Sequence, residues 1–599
     1  MTSLDRRGLL GLLPASLLAA PVAAAWAADK PPTSPRNERL HKLFNARWES
    51  LMKAYPEWAT SLGDHRYGDR LSDASPEAIA ANDAATRRTL AAAKTFDRNK
   101  HSPQDRASLG VFLFELEDDV RFQPYIGYRS LSLGALDGFQ SGFASLLQDS
   151  PVDTAAQARQ ILARMAAYPR RVEQEIVRLR EGMALGWVPP SQVLERVLPQ
   201  IDDQLGIALE KSPFFEPFTR LASDIPAAEQ AVLREQARQA IGSHVLPALR
   251  RLRSFVAEEY LRKAAADGAF ASYPGGAEVY AAVVKSETTT QLDARQVHEI
   301  GLRQMARLRG EIDAVMREAK FEGSFAQFIT FLNTDPKFFL SGPEALLAGY
   351  RDIAKRIDPE LPSLFAELPR APYGVRAMPE HFSKDRAEYY DGPALDGTRP
   401  GWFNANAKAW RERPTWGMET LVAHEAVPGH HLQTARAVEL GDLPKFRRAA
   451  GFTAYDEGWA VYAETLGFEV GLYKDPYSRF GHLQWQAFRA GRLVADTGIH
   501  AFGWTRQRAI AYMVENTGED RDLVASEIDR YYSGPGQALG YMIGLLKIVE
   551  LRDRARARLG ERFDIRRFHM VILDQGSVPL PALELAVDGW IAMRAAEKA

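Results

Sequence analysis

The sequence predicts a mainly α-helical protein with one small β region placed just before a histidine-rich metal motif. Three observations predict it. Up to about residue 335, apolar residues recur at three- and four-residue steps over long stretches. Residues 358–402 are rich in proline and glycine, which excludes long helices there. From residue 417 the helical pattern returns, and it carries "HEAVPGHH" at 424–431.

The 599 residues suffice for one large domain or two ordinary ones. A hydrophobic share of 46% and a charged share of 25% are those of a soluble globular chain with material for a core. The formal net charge is −2 and no long basic or acidic run occurs, so nucleic acid is not an expected partner. There is no cysteine, which excludes disulfides and thiolate ligands. A metal would have to use His, Asp or Glu.

Residues 1–27 read as an export signal. Arg6-Arg7 precedes Gly8-Leu9-Leu10, an apolar stretch follows, and Ala25-Trp26-Ala27 supplies the small-residue cleavage pattern. The paired arginines make it twin-arginine in type. Pro14 and Pro21 break the apolar run, which is too short to anchor in a bilayer. The mature protein is expected to be periplasmic or secreted, away from the membrane.

Residues 28–357 form the helical N-terminal region. Leu162, Met165, Tyr168, Val172, Ile176 and Leu179 make one apolar stripe. Residues 231–265 and 291–320 repeat the style, the second opened by a capping box of Asp293 and Gln296. No internal repeat occurs. Residues 358–599 form the metal-binding region, and its proline-rich start reads as a small irregular sheet with loops. In "GTRPGWFNAN" Pro400 cannot donate to a ladder, so this strand is expected at a sheet edge, where an extended peptide could pair with it. Arg399 in that stretch is a candidate for substrate binding.

The motif at 424–431 is an interrupted form of H-E-x-x-H. In that pattern two histidines one helical turn apart bind Zn²⁺ and the glutamate handles a proton of the bound water. In a regular helix His424 and His430 would be about 600° apart, on different faces, and His431 would share a face with His424 but lie ~10 Å away. Pro428 changes this, because it has no N–H to give to the carbonyl of His424. Gly429 tolerates the bulge that follows. If two residues loop out, His430 joins His424; if three do, His431 does.

A catalytic zinc needs a third protein ligand, and "AYDEGWAVYAETLGFE" offers Glu457 and Glu464. Carboxylates among Trp459, Val461 and Leu466 want a cation or a donor. Glu464 could instead support a ligand from behind. Further on, Arg489, Arg492, Asp496 and His500 step by three, four and four along one helix face. Arg492 with Asp496 could be a structural ion pair. Alternatively an arginine holds a substrate carboxylate and His500 donates a hydrogen bond near the metal. In "YYSGPGQALGYMIGLLKI", Tyr541 could stabilise an oxyanion or belong to the core.

Together, "HEAVPGHHLQ", "EGWAVYAE", "RLVADTGIH", "DGTRPGWFNAN" and "PGQALGYMIG" resemble the bacterial domain-of-unknown-function 885 family over most of the mature chain. That family is similar to zincin peptidases of the thimet oligopeptidase and carboxypeptidase Taq type. The resemblance implies a zincin-like helical fold with a deep cleft. It implies one zinc per chain on His424, His430 and Glu457, with Glu425 as general base. Glu464, His431 and Asp496 would then be supporting residues. Arg489, Arg492 and Arg399 would bind substrate, and Tyr541 or His500 would hold the oxyanion. The expected activity is hydrolysis of short peptides, carboxypeptidase-like. Two rival readings are an inactive peptide-binding scaffold and a metal hydrolase of non-peptide amides. Oligomeric state is not legible.

Overall fold

The computed structural model describes residues 37–134, 138–265, 268–379, 387–393, 399–441 and 443–597. The signal sequence read at residues 1–27 lies outside the described residues.

The apolar stripe becomes helix α1 (Ala155–Ala184), opened by a capping box between Thr154 and Gln157. It buries Ile161, Met165, Tyr168, Val172, Ile176 and Leu179, while Leu162, at the margin of the face, is only half-buried. Residues 231–265 form two helices, Ala227–Ala240 and Leu246–Phe255, joined by the wider turn Ile241–Val245. These elements share one apolar cluster. Next come α2 (Gly276–Thr288) and α3 (Ala294–Glu318), and α3 opens with the capping box expected from Asp293 and Gln296.

The proline-rich stretch contains a three-stranded sheet, β1 (Tyr373–Ala377), β2 (Tyr389–Asp391) and β3 (Gly401–Ala405), in the order β1-β3-β2. β3 runs parallel to β1 and antiparallel to β2. The expectation that "GTRPGWFNAN" lies at an edge is therefore overturned: β3 is the central strand. Pro400 stands one residue before it, so its missing N–H interrupts no rung, and Gly401 N–H donates to the Pro372 carbonyl at 3.0 Å.

Among the helices that follow are α4 (Met418–Glu425), α5 (His430–Glu439), α6 (Thr453–Thr465), α7 (Pro476–Phe502), α8 (Arg521–Ser533) and α9 (Gly540–Leu559). α7 is buried over most of its length and packs along α3. α6 crosses α9 at two glycines. A Cβ on Gly458 would stand 2.5 Å from Gly544 Cα, and one on Gly544 would stand 1.8 Å from the Ala454 carbonyl oxygen. Only glycine allows this approach, which draws Glu457 on α6 and Tyr541 on α9 to the same place. The largest core joins N-terminal residues such as Phe44 and Phe112 to Trp459, Leu493 and Ile548. Among the described residues no helix is long and apolar enough to cross a membrane.

Candidate metal centre

The interruption in "HEAVPGHH" sits between α4, which ends at Glu425, and α5, which begins at His430. Ala426 and Gly429 leave helical geometry, with φ/ψ of −102/−106° and −78/−125°. Gly429 passes so close to the freed carbonyl of His424 that a Cβ would stand 1.9 Å from its oxygen. The indole N–H of buried Trp459 donates to the Pro428 carbonyl at 3.0 Å and holds the loop from α6. As a result the rings of His424 and His430 lie 4.9 Å apart at 85°.

Glu457 faces both rings. Its Oε2 lies 3.5 Å from Nε2 of His424 and 3.5 Å from Nε2 of His430. One ligand atom from each of the three residues falls within 4.8 Å of the others. Behind His424, Nδ1–H donates to Glu464 Oε1 at 2.8 Å. A carboxylate can only accept, so this bond places a proton on Nδ1 and leaves Nε2 facing Glu457. Glu464 is fully buried.

Burial opposes charge on His424, but Glu457 and Glu464 outweigh it and push its pKa up to about 9. His430 is raised in the same way, chiefly by Glu457. Despite its own burial, the two histidines hold Glu457 well below the ordinary carboxylate range. Burial raises Glu425, which the charges of His424 and His430 partly offset.

These residues fit a zinc ion. Glu457 Oε2 is buried and makes no hydrogen bond among the described residues, although two nitrogens face it. At bond lengths of ~2.0–2.1 Å, neighbouring ligand atoms of a tetrahedral zinc are ~3.3–3.4 Å apart, close to the 3.5 Å found here. Two imidazoles and a carboxylate are the donors such an ion takes when one position stays open. His430 and Glu457 keep side-chain exposures of 18% and 20%, so solvent reaches part of both side chains.

His431 turns the other way. Its Nδ1 shares a hydrogen bond with the Tyr390 hydroxyl at 2.8 Å, and its ring packs on Tyr373 at 4.6 Å. Burial drives its pKa down to about 4. It fastens α5 to the sheet and does not stand behind the three ligands, contrary to the supporting role expected for it.

The stripe on α7 divides between two tasks. Arg489 lies beside Glu464 at 3.7 Å, and its guanidinium stands over Trp485 and, at 5.7 Å, over Tyr541. Arg492 covers the Tyr541 ring at 4.4 Å and pairs with Glu527 at 2.9 Å. Nε and Nη1 of both arginines are buried without a hydrogen-bond partner among the described residues. Burial raises the Tyr541 pKa and the Glu457 charge adds to it, while Arg492 and Arg530 oppose.

Asp496 and His500 face elsewhere. Asp496 accepts from the Tyr280 hydroxyl and from Gly536 N–H, the latter at 3.0 Å, so the ion pair with Arg492 does not form. His500 accepts from Phe270 N–H at 3.2 Å through Nδ1 and donates to the Tyr531 carbonyl at 3.0 Å through Nε2. It also lies eleven residues beyond Arg489, about 16 Å along the helix. The oxyanion role expected for His500 and the supporting role expected for Asp496 are thus withdrawn; both brace α7. Arg399 is exposed on the approach to β3.

Sequence reading missed Glu527 and Arg530. Arg530 joins Arg492 on Glu527, at 2.8 Å, and also donates to Gln537. Glu and Arg three residues apart on a helix look like a surface pair, and nothing in "EIDRYY" marks them as partners of the buried Arg492. Glu388 and Arg413, paired at 2.7 Å, were also missed, because they lie 25 residues apart and no local pattern links them.

The model of a bacterial family described as "Bacterial protein of unknown function (DUF885)" matches residues 56–587. Two solved structures are similar. One is described as "the putative lipoprotein from Colwellia psychrerythraea"; it is 28% identical, with a TM-score of 0.87, over 93% of this chain and 99% of that one. The other, from Shewanella oneidensis, is described as "a putative lipoprotein of unknown function"; it is 20% identical, with a TM-score of 0.71, over 91% of this chain and 99% of that one, and shows the shared fold alone. No curated protein matches the chain.

Proposed function

Since the chain belongs to the DUF885 family, whose name assigns no chemistry, we propose its activity from the site: a zincin-like, zinc-dependent hydrolase of peptide bonds in short peptides. The observation that carries the reading is Glu457 Oε2, buried, unpartnered and 3.5 Å from two imidazole nitrogens, with Glu425 beside them. A bare carboxylate so placed makes sense as a ligand, and the neighbouring buried carboxylate makes sense as a base.

His424, His430 and Glu457 would hold the ion. Zinc bound there would act as a Lewis acid and lower the pKa of its water to ~7. Glu425 takes the proton of the attacking water and passes it to the leaving amine. Tyr541, whose hydroxyl lies within the electrostatic reach of Glu457, donates to the developing oxyanion. Glu464 keeps Nδ1–H of His424 fixed and so orients the ligand. Arg489 and Arg492 have unfilled N–H groups beside Tyr541, which suits a substrate carboxylate and favours cleavage near the C-terminus.

Export fits this reading. Residues 1–27 read as a leader of twin-arginine type, and the Colwellia structure is described as that of a "putative lipoprotein". The 599 residues contain no cysteine, so none of them can carry a thiol-linked lipid.

The test is metal content together with turnover. The purified protein is expected to carry about one zinc per chain and to cleave a mixed library of short peptides. Chelation is expected to stop cleavage and added zinc to restore it. Protein that binds zinc but leaves the library intact would overturn the peptidase reading while sparing the metal site.

A further inference from the structure

A cavity of about 490 Å³ lies apart from the metal centre, between the helices Glu38–Ala54 and Pro103–Phe122, with the segment 446–451 as one wall. That volume suits a small molecule. Tyr55 and Trp58 line it and are 43% and 37% exposed, large aromatic surfaces left in contact with water at its mouth. Phe112 and Phe122 continue the aromatic lining.

The charges on the walls are unevenly matched. Arg47 pairs with Asp119 at 3.1 Å, and Arg129 pairs with Asp83 through two bonds of 2.8 and 3.0 Å. Both lining arginines are therefore taken, which disfavours an anion. Glu115 is the third lining carboxylate, and it has no hydrogen bond or ion pair among the described residues. Arg447 acts on it only at longer range, since that guanidinium donates to Ser108 Oγ and to the Gln575 carbonyl. An unpaired carboxylate beside aromatic faces is the arrangement that recognises organic cations, by a charge-assisted bond on one side and cation–π contact on the other.

We propose that this cavity binds a small organic ammonium ion, with Glu115 as its counter-ion and Tyr55, Trp58 and Phe122 as its aromatic wall. The reading rests on the cavity alone and does not depend on the peptidase proposal. Burial pushes Glu115 up to about 8, the charge of Asp119 adds to this, and Arg447 and Arg47 oppose it. The Asp83–Arg129 pair stands on another wall as a matched unit. Below about pH 8 the protonated form of Glu115 is favoured before a ligand enters. An entering ammonium favours the carboxylate, so each binding event forms one ammonium–carboxylate pair and releases one proton to solvent.

The experiment is calorimetric titration of the full chain, stripped of metal by chelation so that amine ligation at the His–Glu centre cannot contribute. The probe is 2-phenylethylammonium, and 2-phenylethanol is its neutral counterpart. Saturable binding of the amine is expected. Titrations in buffers of different ionisation heat are expected to show proton release, and affinity is expected to rise as pH approaches 8. The alcohol and Glu115→Gln should each lose roughly ten- to hundred-fold in affinity, the range of one charge-assisted bond. Trp58→Ala, at the exposed mouth, should also weaken the amine, and it serves as the second variant if Glu115→Gln does not fold. Equal binding of amine and alcohol, or no binding of the amine at millimolar concentration, would overturn the proposal. So would amine binding that releases no proton.

Discussion

Replacing Glu464 tests whether the proposed metal centre is built as the geometry indicates, because this residue is not one of the three ligands and would reach the metal only through His424. Its Oε1 accepts from His424 Nδ1–H at 2.8 Å in a fully buried setting. Removing such a carboxylate typically lowers metal affinity 10–100-fold, or about 1.4–2.7 kcal/mol. Glu464→Gln keeps an oxygen that can accept the same bond and preserves the tautomer, so it should fall near the lower end. Glu464→Ala frees the ring to rotate and should fall near the upper end. Both variants also strip the buried Arg489 guanidinium of its nearest carboxylate, 3.7 Å away, so a drop in thermal stability is expected in each. The assay is zinc affinity by competition with a chromogenic chelator, read on protein shown to be folded. A loss ordered Ala above Gln is expected. Unchanged zinc affinity in both variants would refute the argument that Glu464 sets the orientation of His424.

Other outcomes follow from the same geometry. His430→Ala should empty the metal site while His431→Ala, whose ring faces Tyr390 and Tyr373, should retain the metal and lose stability; metal analysis of the two proteins decides. Glu425→Gln should keep its zinc and lose ~10²–10⁴ in peptide turnover, and full activity in that variant would remove Glu425 from the mechanism. Amidating the C-terminus of a peptide substrate should cost roughly ten- to hundred-fold in kcat/KM. Arg492→Ala should erase that difference, and preference for a free amino end instead would turn the assignment to an aminopeptidase. Asp496, raised to about 7 by burial that its bonds from Tyr280 and Gly536 only partly offset, makes stability pH-dependent. The folded chain holds a proton there that an unfolded aspartate, at ~3.9, gives up, so stability should fall as pH rises from about 4 to 7 and then level off. Thermal melts of Asp496→Asn should lack that part of the slope.

How far the sequence could be read depended on whether a feature was local. The stripe of α1 and the capping box of α3 depend on residues a few positions apart, and both form where the pattern puts them. The bulge was legible because Pro428 and Gly429 constrain their own backbone. Which histidine it would select was not settled by spacing, since looping out two or three residues is equally open to the chain. What excludes His431 is the sheet: Tyr390 and Tyr373, some forty and sixty residues earlier, capture its ring. The α7 stripe shows the same division. Its spacing gave a shared face and burial, and all four side chains are buried. Spacing says nothing about what covers that face further along the chain. α2 and α8 supply Tyr280 and Glu527, and these take Asp496 and Arg492 away from each other. The central position of β3 was hidden for a related reason. Pro400 speaks only for its own N–H, whereas strand order depends on partners thirty residues before and ten residues before. In each case the type of contact was foreseeable and the identity of the partner was not. A buried arginine must meet an acceptor and a buried carboxylate a donor, but many residues can meet the requirement. At Glu457 the facing groups are two imidazole nitrogens, 3.5 Å from an oxygen that makes no hydrogen bond among the described residues. That oxygen, between two imidazoles, is therefore the observation on which the proposed metal site most directly rests.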